Sequence, residues 1–394
     1  MTAVYLNAMG VVCALGQGPG PLRAGLFADQ PSGVVAVNWP GHGRTLHLGR
    51  FPGPEPVLDH EVPMALRSRS NALLQAALDE IRVPLQDALT RFDSRRVAVV
   101  LGTSAAGASE GEYAASYRQL KGAWPVGYDF AQQEMGSPSA FVAQQMGIFG
   151  PVHTISTACS SGAKTLASAA RLLRAGIVDA VVAGGVDALS RLTIAGFESL
   201  ESVAVVRCNP MSTNRCGINL GEGAALFLMT REQGPVRLAG WGETSEAYHL
   251  WAPDPSGRGA IDAMRKALER ESIAPSKVEY LNMHGTATPH NDAMESRAVA
   301  EVFGLDLAVS STKPLTGHAL AAAGAIEAAI AWLTMIDNPR GRLPVHWWDG
   351  ERDSKLPHLR LVGRDESLGH APAYVLSNSF AFGGSNAALL FARE

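Results

Sequence analysis

The stretch Thr-Ile-Ser-Thr-Ala-Cys-Ser-Ser-Gly at residues 154–162 changes character at its cysteine. The β-branched and apolar residues that approach it, from Val152 to Thr157, predict a buried strand, and the small residues 160–170 predict a helix. Cys159 is therefore expected at a sharp strand-to-helix turn, where unpaired amides and the helix dipole favour a thiolate. Its small neighbours leave room for a substrate carbonyl, so Cys159 is a candidate nucleophile. A buried structural cysteine is the alternative.

The composition argues against several other classes of function. The chain has 394 residues, of which 46% are hydrophobic and 18% charged, and a net charge of −4, which does not indicate a nucleic-acid or membrane-surface protein. No apolar run reaches the roughly 18 residues of a membrane span, and the N-terminal stretch lacks the basic region of a signal peptide. The chain has four cysteines, at positions 13, 159, 208 and 216. Their number and spacing predict neither a disulfide framework nor a metal site, so we expect the protein to reside in the reducing cytoplasm.

Apolar periodicity predicts alternating helices and strands. Helices are predicted at residues 64–82 (ended by Pro84), 137–146, 160–175, 259–270, 292–303 and 319–335, and strands at 2–16, 95–102, 179–185, 223–229, 236–242, 278–283, 308–311, 374–379 and 387–391. Residues 17–53 are predicted to form a loop with one short helix, and residues 203–220 an irregular connection. The element order begins again at Val236. We therefore predict an α/β fold with mostly parallel sheets, made of halves 1–235 and 236–394 by tandem duplication.

Four further islands of polar residues are candidates for the site, and in two of them a histidine comes after a predicted strand, where active sites of α/β proteins gather. They are His-Gly-Thr-Ala-Thr at 284–288, Ser-Thr-Lys-Pro-Leu-Thr-Gly-His at 311–318, Asn-Ser-Phe-Ala-Phe-Gly-Gly-Ser-Asn at 378–386, and Asn-Leu-Gly-Glu-Gly at 219–223. A single histidine in such a place is more often structural than catalytic. Two of them, with Lys313 five residues before His318, favour a catalytic site.

The order of these islands after Cys159 resembles the β-ketoacyl synthases of the elongating Cys-His-His type. The resemblance runs from near residue 5 to the end of the sequence. It implies a thiolase fold with two pseudo-symmetric halves in a five-layered α-β-α-β-α arrangement, and a dimer. It also implies condensation of acyl chains that are carried on the phosphopantetheine of an acyl carrier protein, with no metal or other cofactor.

The resemblance assigns roles to individual residues. Cys159 would accept the acyl group, and His284 and His318 would stabilise the enolate formed by malonyl decarboxylation, as neutral imidazole donors can do. Lys313 would set the electrostatics of the site, with Glu327 as its buried partner. Three more residues complete the implied site, namely Phe382 (gate, and an oxyanion-hole amide with that of Cys159) and the phosphopantetheine-binding Thr286 and Thr288.

Some positions depart from the common family pattern. Ala381 stands where many relatives have glycine, so we expect an altered gate motion; Ala287 is a milder change, and Asn209-Pro210-Met211 replaces Arg-Pro-Phe. Together with the stretch 246–250, these details resemble the ketosynthases of aryl polyene pigment clusters. That resemblance implies extension of an aryl-primed chain, in a homodimer or in a heterodimer with a chain-length-factor partner that lacks the cysteine.

Other assignments stay open at this point. A general fatty-acid elongation synthase shares all of these motifs. A thiolase would need a second cysteine after Cys216, a priming synthase would have asparagine in place of His318, and a chain-length factor would lack Cys159; a cysteine hydrolase fits the paired histidines poorly. Arg67 and Arg69 are candidates for docking the acidic carrier protein by resemblance, or are simply solvated arginines at a helix start.

Overall fold

The computed structural model describes residues 2–39 and 43–394. Its strands are β1 (Tyr5–Cys13), β2 (Gly16–Gln17), β3 (Val34–Asn38), β4 (Thr45–Gly49), β5 (Val97–Gly102), β6 (Val152–Ile155), β7 (Ala180–Asp187), β8 (Gly223–Thr230), β9 (Val236–Ser245), β10 (Tyr280–Asn282), β11 (Ala308–Ser310), β12 (Arg360–Leu361), β13 (Tyr374–Ala381) and β14 (Ser385–Arg393).

The α-helices of the described residues alternate with these strands. They are α1 (Pro19–Leu26), α2 (Arg69–Arg91), α3 (Ala108–Lys121), α4 (Ser137–Met146), α5 (Ser161–Arg174), α6 (Arg191–Ser199), α7 (Arg258–Glu271), α8 (Pro289–Phe303), α9 (Lys313–Thr316) and α10 (Ala323–Met335). Within the described ranges, no helix combines the length and the apolarity that crossing a membrane requires.

The two halves of the chain have the same strand order. In the first half the sheet runs β6-β5-β7-β8-β1, and in the second half β11-β10-β13-β14-β9 repeats this order, with the short strand β12 added beyond β11. In each half one strand, β8 or β14, is antiparallel to its neighbours, and the other four are parallel to one another. The halves join where β1 pairs with β9. This repeat is the pseudo-symmetry that the sequence predicts; the boundary at residues 235 and 236 stays a prediction.

Helices form three layers around the two half-sheets. Helices α5 and α10 pack against each other in the middle and contact strands of both halves, whereas α2 and α4 cover the first half-sheet and α7 and α8 lie on the second. Strand β5 illustrates how both faces of a half-sheet are buried. Its residues Val97, Val99 and Leu101 pack on the side of α2, and Ala98 and Val100 pack against the central helix layer. The result is the predicted five-layered α-β-α-β-α arrangement.

Helix α2 is longer than predicted. The sequence predicts an end before Pro84, but the helix begins after Ser68, whose hydroxyl caps the Asn71 amide at 3.2 Å, and continues through the proline to Arg91. Proline removes one helical hydrogen bond. The apolar face continues beyond it, because Leu85 and Ala88 are fully buried. Burial of this face against the sheet outweighs the lost hydrogen bond.

The predicted loop at residues 17–53 contains more structure than expected. Helix α1 is the predicted short helix, but β3 and β4 form an antiparallel hairpin that the sequence analysis missed. Leu46 and Leu48 of the hairpin are buried against Leu189 and Ile218, so the hairpin is stabilised by residues far along the chain. Residues 40–42, which belong to the same prediction, lie outside the described residues.

Strand β6, which leads to Cys159, is not buried as predicted. It pairs with β5 at one end of the sheet, and in the described residues no strand pairs with its other edge. Val152 is 40% exposed and Phe149, just before the strand, is 75% exposed. β-branched residues suit an edge strand as well as a central one, so the pattern predicted the strand and not its burial.

Candidate active site

The turn between β6 and α5 presents Cys159. Ala158 adopts a left-handed conformation with a φ of 51°, which is uncommon for a residue with a Cβ. The Ser161 hydroxyl stabilises the turn, because it accepts from the Thr157 amide at 2.8 Å and donates to the Ala158 carbonyl at 2.6 Å. The turn therefore places the Cys159 side chain, 5% exposed, in the wall of a cavity.

Cys159 is paired with His318. The His318 Nε2 atom lies 3.0 Å from the Cys159 Sγ atom. Burial raises the pKa of the Cys159 thiol to about 12, although the positive charge of Lys313 lowers it, and burial together with Lys313 holds the pKa of His318 well below its ordinary value. Burial thus opposes the thiolate that the sequence analysis expects at the helix N-terminus, whereas the charge of Lys313 favours it, and the thiolate stays a prediction.

His284 lies beside this pair. Its ring centroid is 5.3 Å from that of His318, and its Nδ1 atom is 3.5 Å from the Lys313 ammonium. An ammonium can only donate, so Nδ1 is the accepting nitrogen and the ring proton is on Nε2. Burial, and then the charges of Lys313 and His318, lower the pKa of His284 well below its ordinary value. His284 is thus a neutral hydrogen-bond donor through Nε2.

Lys313 is a fixed cation in the interior. It begins the short helix α9 and its Nζ atom lies 2.5 Å from Oε1 of Glu327 on α10, with each side chain 2% exposed. Burial raises the pKa of Glu327, while Lys313 opposes that rise. The other oxygen, Oε2, has no hydrogen-bond partner among the described residues. The charge of Glu327 therefore depends on Lys313 alone.

Two buried carboxylates, to which the sequence analysis gave no role, hold the loop that carries His284. Glu295 accepts the main-chain amides of His284 at 2.8 Å and Gly285 at 2.7 Å, and Asp292 accepts the amide of Ala287 at 3.2 Å. Burial raises the pKa of Glu295 to about 7. Ala287 has a φ of 62°, which explains why glycine suits this position in relatives. In the sequence, the only indication of this role was the spacing of the acidic residues 292 and 295, which lie about one helical turn apart shortly after His284.

The cavity brings most of the predicted site residues together. The hydroxyls of Thr286 and Thr288 are 3.0 Å apart, and the rings of Phe382 and Phe197 lie with centroids 5.5 Å apart. The lining comprises one thiol, other polar side chains and apolar side chains: Cys159, Phe197, Leu200, Ser202, Ile218, Glu246, Trp251, Pro253, His284, Thr286, Thr288, His290, Asn291, His318, Phe380, Ala381, Phe382 and Asn386. The binding and gating roles of Thr286, Thr288 and Phe382, and the oxyanion role of the Phe382 amide, stay predictions.

Ala381 causes no backbone strain at the predicted gate. It is the last residue of β13, with a φ of −123° and a ψ of 157°, an extended conformation that any residue adopts. The left-handed positions are Gly383 and Gly384, with φ values of 76° and 71°. The conformational freedom of this turn therefore lies after Phe382, and the effect of Ala381 on gate motion stays a prediction.

The two arginines considered for carrier-protein docking differ in environment. The Arg69 guanidinium donates to Glu222 at 2.8 and 2.5 Å, and also pairs with Glu55. Glu222 is 1% exposed and accepts main-chain amides as well, so Arg69 neutralises a buried carboxylate and is poorly placed to dock a partner. Arg67 donates to the carbonyl of Val62 at 2.7 Å, and docking through it stays a prediction.

Replacement of Arg69 by methionine is expected to lower the free energy of unfolding by about 3 kcal/mol, because Glu222 would stay buried without its cation. Denaturant unfolding measures this change. The matched control is Arg82→Met on the same helix, where an exposed pair with Asp79 is lost and the expected cost is under about 1 kcal/mol. Equal effects of the two substitutions would contradict the structural role of Arg69.

Cys159, His284 and His318 are also of the types that bind zinc, with one donor atom from each within 4.8 Å of the others. The Lys313 ammonium beside His284 opposes a divalent cation at this position. The residues therefore fit acyl chemistry better than a metal. That no metal or cofactor takes part stays a prediction.

Comparisons with known proteins identify the family of the chain. The models described as "Beta-ketoacyl synthase, N-terminal domain" and "Beta-ketoacyl synthase, C-terminal domain" match residues 54–234 and 236–339. The 3-oxoacyl-[acyl-carrier-protein] synthase 2 of Staphylococcus aureus (strain COL) is 31% identical over 344 residues, which are 82% of each chain.

Solved structures extend the match to the whole chain. The ketosynthase ApeO, in complex with its chain length factor ApeC from Xenorhabdus doucetiae, has a TM-score of 0.94 and 39% identity, over 100% of this chain and 98% of that one. A beta-ketoacyl synthase from Burkholderia phymatum STM815 has a TM-score of 0.85 and 25% identity, over 100% of each chain.

The thiolase-like fold and the Cys-His-His triad define a condensing enzyme, and the chain belongs to the β-ketoacyl synthase family. It is a β-ketoacyl-acyl carrier protein synthase of the elongating type, similar to ApeO. Its reaction is a ketosynthase condensation in fatty-acid or polyketide-type synthesis.

Proposed function

We propose that this enzyme extends aryl polyene chains by decarboxylative Claisen condensation with malonyl-acyl carrier protein. In this proposal Cys159 carries the growing chain, and His318, His284 and Lys313 are the catalytic groups around it. The observation that carries the condensation chemistry is their geometry, with Cys159 Sγ 3.0 Å from His318 Nε2 and His284 Nδ1 3.5 Å from Lys313 Nζ, and the similarity to ApeO supports the aryl polyene chain.

The first half-reaction loads the chain. The Cys159 sulfur attacks the thioester carbonyl of the acyl carrier, His318 takes the thiol proton at Nε2, and the carrier thiol leaves with that proton. Because burial raises the pKa of the thiol, its proton passes to His318 as the sulfur attacks. The Nδ1 atom of His318 has no hydrogen-bond partner among the described residues, which supports a ring that can carry its proton on either nitrogen.

The second half-reaction breaks the bond between the malonyl carboxylate and its methylene carbon. Carbon dioxide leaves, and the electron pair forms an enolate whose oxyanion is stabilised by Nε2–H donors of His284 and His318. The enolate carbon then attacks the Cys159 thioester and forms the new carbon–carbon bond, and the Cys159 thiolate leaves and takes up one proton from the solvent. Donation from His284 is supported by its neutral, Nε2-protonated state beside Lys313.

The rest of the cavity is assigned to the substrate. Thr286 and Thr288 bind the phosphopantetheine arm, and their paired hydroxyls in the cavity wall support this role. Phe382 gates the acyl side of Cys159, where its ring lies beside Phe197. The main-chain amides of Cys159 and Phe382 bind the oxyanion of acyl transfer.

The match to ApeO at 39% identity over the whole chain supports the aryl polyene pathway. General fatty-acid elongation is the second candidate, and the 31% identity to the Staphylococcus aureus synthase favours it. The two candidates share the chemistry described above and differ in the acyl chain that Cys159 accepts.

The partners that we propose are an acyl carrier protein and a chain-length-factor subunit. The ApeO structure is a complex of a ketosynthase with such a subunit. The outer edge of β6 supports a dimer contact there, since its main chain pairs with no strand of the described residues and Phe149 and Val152 beside it are exposed. A homodimer through the same edge is the alternative.

The test is intact-mass measurement after incubation with carrier proteins that bear either a saturated fatty chain or an aryl polyene chain. The enzyme is measured alone and after co-expression with its chain-length-factor partner, with Cys159→Ala as the control. We expect an adduct from the aryl polyene carrier that is absent in the control.

Loading from the saturated chain alone would replace the aryl polyene assignment by fatty-acid elongation. Loading only in the co-expressed complex would support the heterodimer over the homodimer. If neither chain loads the enzyme in either preparation, while Cys159 is intact, the proposed function is wrong.

A further inference from the structure

His346 is a buried histidine to which the mechanism above gives no role. It is 3% exposed, and both ring nitrogens have partners. The Ser311 amide donates to Nδ1 at 3.0 Å, and Nε2 lies 2.9 Å from the carbonyl of Pro210. The amide can only donate and the carbonyl can only accept, so the ring is neutral with its proton on Nε2. Nδ1 therefore accepts one hydrogen bond and Nε2 donates one.

Ser311 connects His346 to the catalytic loops. Its hydroxyl donates to the Gly285 carbonyl at 2.7 Å and accepts the Lys313 amide at 3.3 Å. A Cβ on Gly285 would lie 2.5 Å from the Ser311 Cβ, so the two main chains are in close approach. The position of Ser311 therefore determines how the loop of His284 faces the loop of Lys313.

The other partner of His346 belongs to the irregular connection at residues 203–220. Pro210 is followed by Met211, whose amide donates to Asp292 at 2.8 Å, and Asp292 accepts the amide of Ala287. The connection thus contacts the His284 loop by three routes: through Asp292, through His346 and Ser311, and directly through the Gly217 amide, which donates to the Ala287 carbonyl at 2.9 Å. His346 completes a closed circuit of hydrogen bonds, which runs from residues 210–211 through His346 and Ser311 to the His284 loop and returns through Asp292.

We propose that His346 is a positioning residue for the decarboxylation half-reaction. It does not line the cavity; it holds Ser311, and through Ser311 it holds Lys313 at its 3.5 Å distance from His284. Cys159 and its turn make no hydrogen bond to this circuit in the described part of the chain. The inference rests on the proposed function, since it assigns His284 and Lys313 to decarboxylation.

The test compares the two half-reactions in His346→Leu and His346→Gln. Leucine removes both hydrogen bonds, whereas the glutamine amide has an acceptor for Ser311 and a donor for Pro210. We expect carbon dioxide release from malonyl-acyl carrier protein to fall about tenfold or more in the leucine variant, while the rate of Cys159 acylation stays within about twofold. Glutamine should restore a large part of the decarboxylation rate.

Asn71→Leu is the matched control for loss of stability. Asn71 is fully buried and joins two segments of the first half by donating to Leu66 and Ser137. This variant should lower the midpoint temperature of thermal unfolding without changing the ratio of the decarboxylation rate to the rate of Cys159 acylation. If it changes that ratio as much as His346→Leu does, or if His346→Leu leaves the ratio unchanged, His346 has only a structural role.

Ser311→Ala provides an independent variant in case leucine prevents folding at position 346. It removes the hydrogen bonds to Gly285 and Lys313 and keeps the main-chain amide, so the same selective loss of decarboxylation is expected. An unchanged ratio in this variant would overturn the inference. A wild-type enzyme that releases no carbon dioxide would instead refute the proposed function, so the two failures are distinguishable.

Discussion

Replacement of Cys159 by alanine is expected to abolish the acyl-enzyme and to lower the rate of condensation by a factor on the order of 10⁴ or more. The reason is that the described cavity offers one sulfur beside His318, at 3.0 Å, and the neighbouring hydroxyls of Ser160 and Ser161 hydrogen-bond within the turn. Intact mass after incubation with acyl carrier protein measures the adduct, and product formation measures the condensation.

Cys216→Ala is the matched control for this substitution. Cys216 is exposed and free, and it lies outside the cavity lining, so its loss should leave loading and condensation unchanged. Cys208 is buried and lies outside the cavity lining, so it should not acylate. An adduct that persists in Cys159→Ala, and that peptide mapping does not place on Cys216, would refute Cys159 as the nucleophile.

Much of the fold could be predicted because it follows from local patterns. Strands such as β5 are continuous apolar runs that are buried on both faces, and helices such as α4 match the predicted residues 137–146. The continuation of α2 through Pro84 could not be predicted locally, since Leu85 and Ala88 compensate only by packing against the sheet. The β3–β4 hairpin likewise depends on Leu189 and Ile218, which come much later in the chain.

The sequence was sufficient to predict which residues form the candidate site, but it was not sufficient to predict their electrostatics. The motifs include Cys159 and His284, which come shortly after β6 and β10, and His318, which comes after the short helix α9, and the fold brings the three together. The raised pKa of Cys159 depends on its burial, which a sequence pattern does not show. The role inferred for His346 depends on contacts with residues 35 and 136 positions away, for which no short motif exists.

Replacement of Lys313 by methionine is expected to damage both the fold and the chemistry. Glu327, 2% exposed, would stay buried without a cation, and breaking such a pair costs about 3–5 kcal/mol in the free energy of unfolding. His284 would lose the donor at Nδ1, so its proton would no longer be confined to Nε2. We expect the decarboxylation rate to fall about a hundredfold, comparable to the loss of one oxyanion donor. Denaturant unfolding and carbon dioxide release measure the two effects.

The double variant Lys313→Met/Glu327→Leu separates these effects. It removes both charges, and apolar replacement of a buried pair is often neutral for stability, so most of the free energy of unfolding should return. Decarboxylation should stay low, because the cation beside His284 is still missing. Acylation of Cys159 should be affected less, since His318 contacts the sulfur directly. If the double variant recovers decarboxylation together with stability, then Lys313 serves only to neutralise Glu327, and the catalytic role of its charge is wrong.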